Sequence, residues 1–149
     1  MSENFGRIAL IGIGLIGSSI AHAARRANCV THIAGYSRSA ESRAAAARIG
    51  FCDRLHDDMA ACAKDADIVI LCAPVGALGA AAAAIAPSLK TGAILTDVGS
   101  VKSAVIRDAG PHVPEGVHFI PGHPIAGTEQ SGPEAGFATL YDNRWCILT

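Results

Sequence analysis

Hydrophobic positions in this chain fall into short runs that alternate with Ala-rich stretches of helical spacing. Ile8-Ala9-Leu10-Ile11 is a run of the first kind. It breaks at Gly12-Ile13-Gly14-Leu15-Ile16-Gly17 and gives way to Ser18-Ser19-Ile20-Ala21-His22-Ala23-Ala24-Arg25-Arg26, a succession of strand, glycine turn and helix. Residues 30–36 carry β-branched side chains and end in a Gly-Tyr-Ser turn, which predicts a second strand. Residues 39–49, Ala-rich and closed by Gly50, predict a helix with a glycine stop. Residues 51–56 are ambiguous between loop and short edge strand, and 57–64 suit a brief helix with its acids at the favourable end. The continuous apolar run 67–72 predicts a central parallel strand covered on both faces. Residues 75–85, almost all Ala, Gly and Leu, predict a helix that can approach a sheet closely, stopped by Pro87. A strand over 93–96, a helix over 101–109 with Ser100 as its N-cap, and a strand over 117–120 follow. A Gly- and Pro-rich stretch, 121–143, then leads to a last strand over 144–149.

Strands alternating with helices along the whole length imply right-handed βαβ units. The expected fold is α/β: one Rossmann-like domain over residues 1–149, a doubly wound, mostly parallel sheet with helices on both faces. Ligands of such sheets bind at the carboxyl ends of the strands. That rule selects the glycine turn, the Tyr36-Ser37-Arg38 turn, the Ala73-Pro74-Val75 turn, and the loops at Gly99-Ser100 and Gly122-His123. Gly12 permits the tight turn, Gly14 lets backbone approach a pyrophosphate, and Gly17 lets the helix pack on the strand. Leu15 and Ile16 open the helix, where free N–H groups and the helix dipole favour a phosphate anion. The cofactor expected is therefore NAD(P). Sites for NAD usually end the second strand in Asp or Glu, whose charge repels a 2′-phosphate; here Ser37 and Arg38 stand instead, and both can bind one. The reading leans to NADP, with NAD or dual use left open.

Composition narrows the classes of function. Lys plus Arg number 12 against 13 Asp plus Glu, and only 17% of the 149 residues are charged, so the concentrated positive face that nucleic acid or a membrane surface requires is not expected. The polar start lacks an apolar run with a cleavage site, and the glycine-broken run after it is too short to span a bilayer; a cytoplasmic protein is expected. The five cysteines show no metal-ligand spacing, so no metal is expected. They read as core-filling reduced thiols, with Cys72 and Cys146 expected to be buried and inert.

His123 follows the strand over 117–120 on the ligand edge, between Pro121 and Pro124. A histidine there can take a proton from a substrate hydroxyl, the step that accompanies hydride loss from an alcohol carbon. Ser100, at the end of the neighbouring strand, can bond the same hydroxyl or orient the imidazole. The spacing alone leaves a surface histidine equally open. His22, His32, His56, His112 and His118 have no partners that the sequence names and read as structural.

Gly12-Ile13-Gly14-Leu15-Ile16-Gly17-Ser18-Ser19, Asp97-Val98-Gly99-Ser100-Val101-Lys102 and Gly122-His123-Pro124-Ile125-Ala126-Gly127-Thr128-Glu129 together resemble the prephenate/arogenate (cyclohexadienyl) dehydrogenase family of tyrosine biosynthesis. The resemblance implies an NAD(P)-dependent oxidative decarboxylation of prephenate or arogenate. It implies His123 as the group that binds and deprotonates the ring hydroxyl, Ser100 as its assistant beside the nicotinamide, and Glu129 as an acid at the pocket mouth. Family members continue into a helical domain that builds a homodimer and supplies further substrate contacts. The chain is therefore expected to be a nucleotide-binding domain that binds cofactor with little turnover by itself. Two alternatives are a related β-hydroxyacid dehydrogenase or imine reductase, and a non-catalytic dinucleotide-binding module.

Overall fold

The computed structural model describes residues 4–149; the first three residues of the polar start lie outside the described residues. Six strands form one sheet: β1 (Phe5–Ile11), β2 (Val30–Tyr36), β3 (Arg54–His56), β4 (Ile68–Leu71), β5 (Ile94–Asp97) and β6 (His118–Phe119). Their spatial order is β3-β2-β1-β4-β5-β6 and every pairing is parallel. That is the strand order of the doubly wound dinucleotide fold, with the reversal of direction falling between β1 and β4. The short edge strand β3 resolves the ambiguity of residues 51–56.

The sheet is buried on both faces, as its continuous apolar strands require. Leu10 and Ile33 pack with Ile13, Ala21, Ala24 and Ala46 on one side. Ala9, Ile11, Val69, Leu71 and Leu95 pack with Ala63, Leu78, Ala81 and Ile85 on the other. The first layer is built by α1 (Leu15–Ala27) and α2 (Ala40–Ile49), the second by α3 (Met59–Ala63), α4 (Leu78–Ile85) and α5 (Lys102–Ala109). Local signals set the ends. Ser39 caps α2 by accepting from Ser42 N at 3.1 Å, and Gly50 closes it in the left-handed region at φ 85°. Asp58 caps α3 by accepting from Ala61 N at 2.8 Å. The small residues of α4 allow close approach to α5: a Cβ on Gly79 would lie 3.0 Å from Asp108 O.

Four expectations need correction. Residues 75–85 are not one helix, since Val75–Ala77 forms a 3-10 turn before α4 begins at Leu78. Ser100 does not cap α5, which starts at Lys102; Ser100 is exposed, and the backbone amide of Gly99 is taken instead by the Asp97 side chain. The final strand, β8 (Cys146–Leu148), does not join the main sheet. It pairs antiparallel with β7 (Gly122–Pro124), so His123 lies within a small ribbon rather than in a loop past a strand end. Cys146 is consequently exposed, whereas Cys72 is half-buried and its thiol is pushed up to about 12, chiefly by burial.

The Gly- and Pro-rich stretch between β7 and β8 folds back over α1. Tyr141 Oη donates to Ile16 O at 2.8 Å, and Phe137 N donates to Ser19 Oγ at 3.1 Å. Gly136 comes so near α1 that a Cβ on it would lie 2.7 Å from Ser18 Cβ. Ser18 and Ser19 are both fully buried in consequence, Ser18 bonding back to Gly14 O at 2.6 Å. No helix among the described residues is long and apolar enough to cross a membrane.

Candidate active site

The carboxyl ends of β1, β2, β4 and β5 meet around the start of α1. Gly12 sits at φ 117°, where a Cβ would lie 2.7 Å from Cys72 O, so both the turn and the contact with the end of β4 require glycine. Gly17 is buried on the inner face of α1, and a Cβ there would stand 3.1 Å from Gly12 C and nearer still to its oxygen. Gly14 differs from both. It has ordinary φ, and nothing of the protein lies within 4 Å of where its Cβ would be. No side chain caps α1, and no acidic residue stands in its first turn. The open space before Gly14 and the uncapped amides of a helix starting at Leu15 and Ile16 fit a pyrophosphate.

Two clefts flank this point. One, of about 380 Å³, is lined by Gly12, Tyr36, Ser37, Arg38, Met59 and Pro74, among others. It holds the residues expected to meet the adenosine half of a dinucleotide. Arg43, which sequence reasoning missed, fixes its rim: its Nη1 donates to Ser37 O at 2.7 Å and Arg38 O at 3.0 Å. Ser37 Oγ accepts from Ser39 N at 3.2 Å, while Arg38 is exposed. The only available signal for Arg43 is its place in the first turns of α2, directly after the loop it bonds.

The other cleft, of about 360 Å³, is lined by Ile16, Cys72, Ala73, Val75, Ser100 and His123, among others. Ser100 and His123, 23 residues apart in sequence, thus line one cleft together with the turn after β4. Ala73 and Pro74 line both clefts, so a dinucleotide laid across the start of α1 has continuous walls. Glu129 is not brought into this arrangement; it is exposed on the loop after β7 and lines neither cleft.

A buried ion pair holds the two polar side chains in relation. Asp97, at the end of β5, has a fully buried carboxylate paired with Lys102 Nζ. Its Oδ2 also accepts from Gly99 N at 2.8 Å and its Oδ1 from Gly122 N at 3.1 Å. Lys102 Nζ in turn donates to Gly122 O at 2.6 Å. One carboxylate and one ammonium therefore tie down the residue before Ser100 and the residue before His123. Each charge is compensated and hydrogen-bonded, the condition under which a buried pair persists. Among the described residues no group of His, Cys, Asp or Glu is placed to hold a metal ion.

Comparison with known proteins gives a consistent result. The chain is 43% identical over 145 residues to a cyclohexadienyl dehydrogenase of Zymomonas mobilis, covering 97% of this chain and 49% of that protein. It is 35% identical to a prephenate dehydrogenase of Bacillus subtilis, covering all of this chain and 40% of that one. A crystal structure of prephenate dehydrogenase from A. aeolicus, in complex with hydroxyphenyl propionate and NAD+, superposes with a TM-score of 0.90 at 32% identity, covering 100% of this chain and 52% of that chain. A Synechocystis arogenate dehydrogenase superposes with a TM-score of 0.86 at 32% identity, covering 96% and 49%. The chain thus spans about half the length of the curated relatives it matches. The family model for the prephenate dehydrogenase nucleotide-binding domain matches residues 20–149, and with the Rossmann-like sheet and the two clefts already in place, the chain belongs to the prephenate dehydrogenase family.

Proposed function

We propose that this chain is the nucleotide-binding half of an NAD(P)-dependent dehydrogenase that oxidatively decarboxylates prephenate or arogenate, giving 4-hydroxyphenylpyruvate or tyrosine. The observation that carries the reading is the single cleft shared by His123, Ser100 and the Ala73-Pro74-Val75 turn, beside an uncapped helix start. NAD(P), when bound, supplies the hydride acceptor. His123 takes the proton of the ring hydroxyl as that carbon loses hydride, and Ser100 bonds the same oxygen and orients it. Carbon dioxide leaves, the ring becomes aromatic, and the proton returns to the phenol oxygen. Glu129 is assigned to the pocket mouth on the family resemblance. The matched relatives are about twice as long, and the remaining half of such a protein is assigned the substrate carboxylate clamp and the homodimer contact.

In a protein carrying both halves, His123→Asn is expected to lower kcat by roughly 10²- to 10⁴-fold with cofactor affinity nearly unchanged. Unchanged turnover would remove His123 from the mechanism. NADP is proposed as the preferred cofactor, supported by the hydroxyl and guanidinium at Ser37 and Arg38 and by the lack of a carboxylate at the end of β2. Kinetics with both cofactors test this, and a strong preference for NAD would refute it.

A further inference from the structure

A second cleft of charged character lies away from the cofactor edge, between strands β1 to β3 and the carboxyl end of α3. It has a volume of about 310 Å³ and is lined by Arg7, Arg54, His56, Ala61, Lys64 and Asp65. None of these residues lines the clefts around α1. Arg7 and Arg54 sit two positions apart in the stagger of the sheet, since Arg7 pairs with His32 on β2 and Arg54 pairs with Ala34. Among the described residues, Arg7, Arg54 and Lys64 form no ion pair, although the other acids nearby are engaged: Asp53 with Arg25 and Asp67 with Lys90. Three cations therefore line the cleft with one carboxylate, that of Asp65, while the Asp58 carboxylate, which caps α3, lies near enough to act on His56.

Two nitrogens of the lining residues are unpartnered. Arg7 Nε and His56 Nε2 are shielded from solvent and have no hydrogen-bond partner among the described residues. Arg7 Nη1 meets His32 Nδ1 at 3.3 Å; a guanidinium can only donate, so that ring nitrogen accepts and the His32 proton resides on Nε2. A buried guanidinium N–H left without an acceptor is unfavourable, and charged donors of this fork geometry match oxyanions. Burial holds the His56 imidazole below its ordinary value, and the positive charges of Arg54 and Arg7 lower it further, while Asp58 opposes them. The cleft volume is some ten times the share of a water molecule in the liquid, about 30 Å³, which leaves room for a tetrahedral oxyanion with part of its hydration.

We propose that this cleft is a binding site for a small multivalent oxyanion of the phosphate class, held by Arg7, Arg54 and Lys64 and completed by His56. A dianion there balances the excess positive charge and accepts from the exposed side chains of Arg54 and Lys64. The site is separate from the pyrophosphate cradle, so it can be filled whether or not dinucleotide is bound.

The test uses the chain as it stands, with inorganic phosphate as the probe at constant ionic strength and chloride as the control. Phosphate is expected to perturb the ring resonances of His56 and His32 in a saturable titration and to raise the thermal midpoint. Arg54→Gln and Lys64→Gln, both at exposed positions that leave the core intact, are each expected to weaken that titration about tenfold or more. Gly14→Ala is expected to leave it unchanged, which separates this site from phosphate held at the start of α1. The proposal is overturned if the His56 and His32 resonances stay fixed to tens of millimolar phosphate, if chloride moves them equally, or if the response disappears in Gly14→Ala while surviving in Arg54→Gln.

Discussion

Substituting alanine for Gly14 and for Gly17 separates two properties that a glycine-rich turn usually confounds. At Gly17 the added methyl carbon would stand under 3.0 Å from the Gly12 oxygen and 3.1 Å from its carbon, and that oxygen belongs to backbone fixed at φ 117° against Cys72. Neither side can yield without moving α1 off the sheet. Forced overpacking of this kind costs about 1–3 kcal/mol. For a domain of this size each kcal/mol moves the thermal midpoint by roughly 2–4 °C, so Gly17→Ala is expected to melt about 2–12 °C lower. At Gly14 the methyl meets nothing within 4 Å and φ is ordinary. Lower unfolded-state entropy favours alanine by about 0.4–1 kcal/mol, and its poorer N-cap character opposes it by a similar amount, so stability should stay within about 0.5 kcal/mol. The same methyl, however, fills the space a pyrophosphate would occupy. Losing one charge-assisted hydrogen bond, worth about 1.5–3 kcal/mol, weakens dinucleotide binding roughly 10- to 150-fold. Urea unfolding and fluorescence titration with NADP on both variants provide the assay. A Gly14→Ala chain that binds like the parent, or a Gly17→Ala chain equally stable, would refute the assignment of roles within the turn.

Two further outcomes follow from buried groups. Asp97→Ala leaves the Lys102 ammonium, 15% exposed, without its counter-charge and orphans the amides of Gly99 and Gly122; a loss of about 3–5 kcal/mol is expected by urea unfolding. Adding Lys102→Met should restore part of it, and a single-variant loss below about 1 kcal/mol would show the pair to be incidental. Burial pushes the Cys62 thiol from 9.0 up to about 12. Because its folded value is raised, its contribution is fully present below pH 9 and is lost between 9 and 12, where the unfolded chain ionises and the folded one does not. Cys62→Ala should therefore reduce the alkaline slope of unfolding free energy by about 1.4 kcal/mol per pH unit in that window, and an unaltered slope would contradict it.

Elements governed by local chemistry were legible in the sequence. The β-branched run of β2, the Ser39 and Gly50 ends of α2 and the glycine turn each depend on residues within one turn or strand, and the structure places them as expected. The β7–β8 ribbon was not legible, because Gly122 and Pro124 read as loop formers and their partners lie more than twenty residues ahead. The Ser100 cap failed because α5 begins one residue later than that reading requires, with Val101 at the cap position and Ser100 exposed before it, a boundary that local residue types do not fix. Arg43 and Tyr141 escaped notice likewise, since both act on backbone carbonyls, which leave no trace in residue identity.

The attachment of the ribbon bears on how such a domain can diversify. His123 rides on two short strands that share no backbone ladder with the six-stranded sheet, and its neighbour Gly122 is moored to that sheet by the side chains of Asp97 and Lys102. The segment that carries His123 is thus held to the nucleotide scaffold by side chains rather than by strand pairing: by Asp97 and Lys102 at Gly122, and by Tyr141 Oη and Phe137 N on α1. A replacement for residues 121–149 that preserves those contacts can present a different side chain to the cleft that Ser100 lines, while the six-stranded scaffold stays as it is.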